Sequence, residues 1–153
     1  MSKLTIGWRE WINFPELQLQ SIKAKIDTGA RTSALHAFNI ERFRRQHQDW
    51  VRFCTQPLQY SPEPVQICET RLKDVRYVTN SGGHRERRCV IETLIELGGQ
   101  RWPVELTLTN RRNMKFRMLL GRHAMRSRIL VDPARSYLTG DYTHRYAATA
   151  RTG

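Results

Sequence analysis

Apolar and polar positions alternate through most of the chain, and the alternation predicts strands rather than helices. In Leu17–Ile26, LQLQSIKAKI, the two classes trade places for much of the length, and Asp27-Thr28-Gly29 ends the run. The clearest hairpin is RCVIETLIELGGQRWPVELTLT, where Gly98-Gly99 supplies the positive φ angles of a primed two-residue turn. On its second arm Trp102, Val104, Leu106 and Leu108 share one face, and Arg101, Glu105 and Thr107 share the other. Pro103 cannot donate a ladder bond, so it belongs at a sheet edge or on the outward side of its strand.

A second glycine pair, in TNSGGHRERR, separates the strand-like DVRYVT from RCVIETLIEL and reads as a hairpin tip or loop with basic flanks. Residues 38–50, FNIERFRRQHQDW, have irregular apolar spacing and are read as a loop. FRMLLGRHAMRSRILV reads as a strand, a glycine, a short helix over Arg122 to Arg126 and another strand. Neither a repeat nor a linker divides the chain, so we expect one all-β domain over residues 1–146 and a frayed tail, AATARTG, over 147–153.

Composition narrows the setting. The 153 residues are 39% apolar and 26% charged, a globular balance. No apolar run of about 18 residues could span a bilayer, and the first residues lack the apolar core of a secretory signal. A cytoplasmic protein is therefore expected. Cys54, Cys68 and Cys89 match neither a disulfide framework nor paired metal ligands, and are expected to be buried, reduced thiols. The net charge is +12, carried mostly by arginine, since the lysines are Lys3, Lys23, Lys25, Lys73 and Lys115. Arginine's planar fork suits carboxylates and phosphates, so an anionic partner is expected. Nucleic acid, an acidic peptide and anionic lipid stay open on composition, beside a merely solvated basic surface.

Asp27 changes the picture. An Asp at a strand-to-turn junction, followed by Thr28 and Gly29, is what an aspartic protease uses: the carboxylate projects into a cleft and the glycine lets backbone approach closely. The triplet is short, but MLLGR at Met118–Arg122 is similar to the element that follows the active-site strand in retropepsins. In addition GWREW (Gly7–Trp11), KAKIDTGARTSALHA (Lys23–Ala37), SGGHRERR, ELTLTNRRNMKFRMLLGR and ILVDPARSYL occur in order from about residue 6 to 139. In these blocks the chain resembles a retropepsin-like family that also carries the label "ATP-dependent zinc protease" and is often encoded beside RimK-type glutamate ligases.

The resemblance implies a closed acid-protease barrel with one short helix, Asp27 as catalytic carboxylate, and Thr28 and Gly29 in support. It implies a flap at SGGHRER, so Gly82, Gly83 and His84 are expected at the substrate. It further implies trimming of glutamate residues that such a ligase adds to a ribosomal protein. Arg31, Arg87, Arg112 and Arg122 are expected to bind an acidic, glutamate-tailed substrate, from a wider set in the same blocks that includes Arg85, Arg88 and Arg111.

Aspartic catalysis uses two carboxylates that share a proton, and this sequence has one Asp-Thr-Gly. Asp49, Asp74, Asp132 and Asp141 sit in other settings, so a symmetric homodimer joining two copies of Asp27 is the simplest expectation. The label itself finds little support. There is no His-Glu-x-x-His, and His36, His47, His84, His123 and His144 are scattered. There is no Gly-Lys dipeptide for a phosphate-binding loop either, so neither metal nor cofactor is expected. Two alternatives stand beside the peptidase: a non-catalytic basic barrel that binds ribosome or RNA, and a zinc-dependent peptidase.

Overall fold

The computed structural model describes residues 2–80 and 82–140. Twelve strands follow one another: β1 (Leu4–Gly7), β2 (Arg9–Phe14), β3 (Leu19–Asp27), β4 (Ser33–His36), β5 (Phe38–Arg45), β6 (Gln48–Thr55), β7 (Gln66–Arg71), β8 (Asp74–Thr79), β9 (Arg85–Leu97), β10 (Gln100–Thr109), β11 (Met118–Gly121) and β12 (Ile129–Asp132). A 3-10 turn covers Pro15–Leu17, and the one α-helix of the described residues, α1, covers Arg122–Met125.

Six strands close a barrel in the order β10-β4-β11-β3-β2-β9, with β9 pairing back onto β10 and β8 added outside β9. The reason lies in the alternation. In β2 every second residue, Glu10, Ile12 and Phe14, is buried, and in β10 Trp102, Val104, Leu106 and Leu108 fill the interior. Full burial of each such apolar side chain contributes about 1.5–3 kcal/mol. In β3 the period slips: Leu19 is buried, then Ile22, Ala24 and Ile26. Ser21 takes a positive φ of 54° there, and its amide donates to Asn13 Oδ1 at 2.7 Å. The bulge returns the apolar face to the core, and so Asp27, next to Ile26, faces away from it.

The β9–β10 turn is Gly98-Gly99, with φ of 59° and 77°. Pro103 lies opposite Leu94, in the part of β10 that precedes its pairing with β4 at Leu106–Thr109.

Residues 38–50 are not a loop. They form most of a β5–β6 hairpin, extended by β7 into a separate three-stranded sheet. Its turn is Gln46-His47, with φ of 52° and 66° on two residues that do not announce a primed turn. Most of β5 is exposed, which leaves its alternation without an apolar face to reveal it. Phe43 packs on Trp50 instead, Arg45 lies 4.6 Å over the Trp50 ring, and Glu69 accepts from Arg45 at 2.9 Å and Arg52 at 2.8 Å.

The first and last described strands meet, since β1 runs parallel to β12 from Leu4↔Ile129 to Gly7↔Asp132. Glu10 locks this corner. Its buried carboxylate accepts from the Gly7 amide at 2.7 Å, the Leu138 amide at 2.8 Å, and both the amide (3.2 Å) and hydroxyl (2.8 Å) of Thr139.

All three thiols are free, but only Cys68 is fully buried, whereas Cys54 and Cys89 are partly exposed, against the expectation for all three. Burial pushes the Cys68 thiol up to about 11. No helix among the described residues is long and apolar enough to cross a membrane. The expected tail at 147–153, like Asp141 and His144, lies outside the described residues.

Candidate active site

β11 is inserted between β3 and β4. It runs parallel to β3, with Leu120 opposite Ile26 and Gly121 opposite Asp27, and antiparallel to β4, with Met118 opposite Leu35. The chain leaving β3 at Asp27 must therefore cross the end of β11 before it re-enters the sheet as β4 at Ser33. Only glycine fits beneath that crossing. A Cβ on Gly121 would meet the Thr32 carbonyl carbon and oxygen at 2.6 Å and the Arg31 oxygen at 3.0 Å.

The crossing loop is tied down from below. The Gly121 amide donates to Ser33 Oγ at 3.0 Å, the Arg122 amide to the Ala30 oxygen at 2.8 Å, and the His123 amide to the Arg31 oxygen at 3.2 Å. The Arg122 Nη1 donates to the Gly29 oxygen at 3.1 Å. Within the loop, Asp27 Oδ1 accepts from the amides of Gly29 at 2.9 Å and Ala30 at 3.2 Å. Its Oδ2 has no hydrogen-bond partner among the described residues. One carboxylate oxygen is thus fixed by backbone, and the other is not engaged by any described residue.

Asp27, Gly29 and Ala30 line a cleft of about 850 Å³. The β8–β9 hairpin supplies another wall through Asn80, Gly82, His84, Glu86 and Arg88. Its tip is organised by Asn80, whose Oδ1 accepts from the Gly82 and His84 amides at 3.0 Å each, and Gly83 takes the required φ of 83°. At the base of the arm, Arg76 grips Glu105 of β10 with two bonds, at 2.8 and 3.2 Å. Those bonds, with help from Lys73, hold the Glu105 carboxyl down at about 2 against the opposing effect of burial.

The expected site residues divide. Asp27, Gly29, Gly82 and His84 line the cleft, and Gly83 forms the turn beside it. Thr28 is exposed, while Arg31 and Arg122 serve the crossing loop through the Arg31 carbonyl and the Arg122 guanidinium. Arg87 is exposed and lies across from Tyr77, and Arg112 lies 5.0 Å over the Phe38 ring, so neither lines the cleft. The cations that do are Lys25, Arg88, Arg111 and Lys115. Strand parity explains the exchange on β9: Glu86, Arg88 and Val90 turn inward, and Arg85 and Arg87 turn out. The same parity places Lys25 beside Asp27 on β3, whereas Arg111 and Lys115 sit on a loop that no period predicts.

His36 supports that loop. The Arg111 amide donates to its Nδ1 at 2.9 Å, so Nε2 carries the proton and donates to Gln56 Oε1 at 2.8 Å. Gln56 is fixed in turn by its Nε2 bond to the Pro62 oxygen. Burial holds the imidazole below its ordinary value, reinforced by Arg117, Arg112 and Arg111 and opposed by the Gln56 bond. Both nitrogens are spent on structure, and among the described residues no group of three or more His, Cys, Asp or Glu side chains could hold a metal ion.

Glu86 is the other carboxylate in the cleft. It accepts from Thr109 Oγ1 at 2.7 Å and from Arg88 Nε at 3.0 Å and Nη2 at 2.9 Å. Asp49 and Asp74 pair with Arg44 and Arg76, and Asp132 accepts from the Ala134 amide, all away from the cleft.

A closed six-stranded barrel, a glycine-tipped hairpin beside an open cleft and an Asp-Thr-Gly bent over an inserted strand define the acid-protease fold. The chain belongs to the RimB-like family, described as "Retropepsin-like aspartic endopeptidase RimB", whose model matches residues 5–141.

Curated relatives named "Probable alpha-L-glutamate ligase" include one from Shewanella pealeana, 48% identical over 140 residues, covering 92% of this chain and 31% of the relative. Another, from Desulfotalea psychrophila, is 43% identical over 152 residues, covering 99% of this chain and 33% of the relative. The chain thus spans about a third of the length of these proteins. Among solved structures, a protein of unknown function from Legionella pneumophila superposes with a TM-score of 0.78 at 26% identity, covering 91% of this chain and all of that one.

Proposed function

We infer that the protein is an aspartic-type peptidase that hydrolyses peptide bonds in acidic polypeptide, with Asp27 of two subunits as the catalytic pair. The observation that carries this reading is the seating of Asp27: two amides hold Oδ1, Oδ2 has no hydrogen-bond partner among the described residues, and four cations line the same cleft against one further carboxylate. In aspartic catalysis two carboxylates share one proton, one taking a proton from the attacking water while the other protonates the carbonyl oxygen. With no second Asp-Thr-Gly in the chain, a two-fold dimer supplies the second carboxylate.

Charge favours a glutamate-rich substrate, because carboxylate side chains complement Lys25, Arg88, Arg111 and Lys115. The relatives' names point the same way. A domain carried in one chain with a glutamate ligase fits the removal or trimming of what a ligase adds, and the cytoplasm, where ribosomal proteins reside, is the matching location. The test is hydrolysis of a glutamate-tailed protein, followed by mass spectrometry in the presence of a chelator. Asp27→Asn should abolish cleavage and leave the thermal transition in place, and mixing it with the parent should depress activity by forming mixed dimers. Full activity of Asp27→Asn sinks the reading.

A further inference from the structure

The cleft holds four cations, and they are not equivalent. Arg88 is spent: Nε and Nη2 go to Glu86, and Nη1 donates to Thr107 Oγ1 at 3.1 Å. Lys25 and Lys115 are exposed and keep their water. Arg111 differs from all three. It is half-buried, its Nε donates to the Phe116 oxygen at 3.0 Å, and neither Nη1 nor Nη2 has a partner among the described residues. No carboxylate forms an ion pair with it there. Arg88 repels it, and the opposing charge that acts on it is Asp27.

A half-buried guanidinium whose Nη groups meet only solvent and no paired anion holds one orientation only where other bonds impose it. Here two do. The Arg111 amide is fixed on His36, and the Nε bond to the Phe116 oxygen restrains the guanidinium at its other end. A fork held in advance loses little entropy when it binds a planar partner.

The geometry points to Arg111 as a carboxylate-binding site of the cleft, taking the side-chain carboxylate of a substrate glutamate or aspartate next to the bond set over Asp27. This rests on the peptidase reading for the position of the bond, but not for the binding itself. The neighbouring Arg88 shows the recognition in place, since two of its nitrogens already grip the Glu86 carboxylate on the same wall. Arg88 therefore orients Glu86 and Thr107, and Arg111 is left to select the ligand. A substrate carboxylate on Arg111 would accept from its two unpartnered Nη groups with full charge, which an uncharged glutamine side chain could not do.

The experiment uses the full chain carrying Asp27→Asn, so that peptide is bound and not consumed. Tetraglutamate, tetraglutamine and inorganic phosphate are titrated by calorimetry, with near-ultraviolet circular dichroism to check the fold. Tetraglutamate should bind about 10- to 100-fold more tightly than tetraglutamine. Adding Arg111→Met should remove most of that preference, and Arg111→Lys should keep the charge but lose at least about fivefold, because a lysine cannot fork. Should the Met variant fail to fold, the Lys variant still decides. Undiminished tetraglutamate affinity in a folded Lys or Met variant overturns the assignment, as does phosphate binding at Arg111 as tight as that of tetraglutamate. Arg111-dependent binding without any hydrolysis by the Asp27 protein would overturn the peptidase reading and keep this site. Asp27-dependent hydrolysis indifferent to Arg111 would do the reverse.

Discussion

Replacing Gly121 with alanine puts one methyl group where the backbone of residues 31–32 now lies. The added Cβ would stand 2.6 Å from both the carbon and the oxygen of the Thr32 carbonyl and 3.0 Å from the Arg31 oxygen. Backbone cannot rotate aside as a side chain can, so the crossing loop must lift by about half an ångström, an overpacking cost of about 1–3 kcal/mol. For a domain of this size that is a fall in Tm of about 2–12 °C. The displaced loop is the one that presents Asp27 and whose Gly29 and Ala30 amides hold Oδ1, so glutamate-tail cleavage should fall by far more than the stability loss explains.

Gly99→Ala is the control. Its φ of 77° strains an alanine by about 1–2 kcal/mol, yet nothing lies within 4 Å of the new Cβ and the turn is remote from the site. Guanidinium unfolding and cleavage rate, measured on both, separate the two effects. Similar destabilisation with activity lost only in Gly121→Ala supports the account. A Gly121→Ala protein as active and as stable as the parent refutes it.

Acid should act on two further groups. The folded state holds His36 neutral below its ordinary value of 6.5, so the unfolded chain binds the extra proton first. That contribution to stability is complete above about pH 6.5 and is lost as pH falls below it, and a thermal-melt series should show His36→Gln with a flatter dependence there. Glu105, held down at about 2 from an ordinary 4.5, contributes stability above about pH 4.5 that disappears as pH falls toward 2. Glu105→Gln should flatten that limb of the melting curve, and since it frees the Arg76 grip, hydrogen exchange should rise along β8; unchanged exchange would contradict the anchoring role.

Where one face of a strand meets the core, the pattern of residues was enough. Trp102, Val104, Leu106 and Leu108 declared β10, Gly98-Gly99 declared its turn, and the stretch after Gly121 declared the helix. Where both faces meet solvent the pattern is silent, which hid β5, and Gln46-His47 concealed the turn that follows it. The site was legible in part for the same reason. Asp27 is marked by its neighbours in sequence, but the ring of cations is chosen by parity and by a loop. Arg87 and Arg88 are adjacent letters on opposite faces, and Arg111 reaches the cleft because a buried imidazole 75 positions earlier holds its amide. That link had no sequence signal beyond a histidine placed inside an apolar strand.

The parallel pairing of β1 with β12 has a mechanical consequence. Leu4 enters β1 at the end of the ladder where Ile129 begins β12, and Asp132 leaves at the opposite end beside Gly7. Tension applied through the chain on either side would pull those two ends apart along the strand direction, loading every rung at once instead of peeling them in turn, while Glu10 bridges the same corner. An unfolding machine that pulls on the chain before Leu4 would load this two-stranded ladder in shear before it reaches any strand of the barrel.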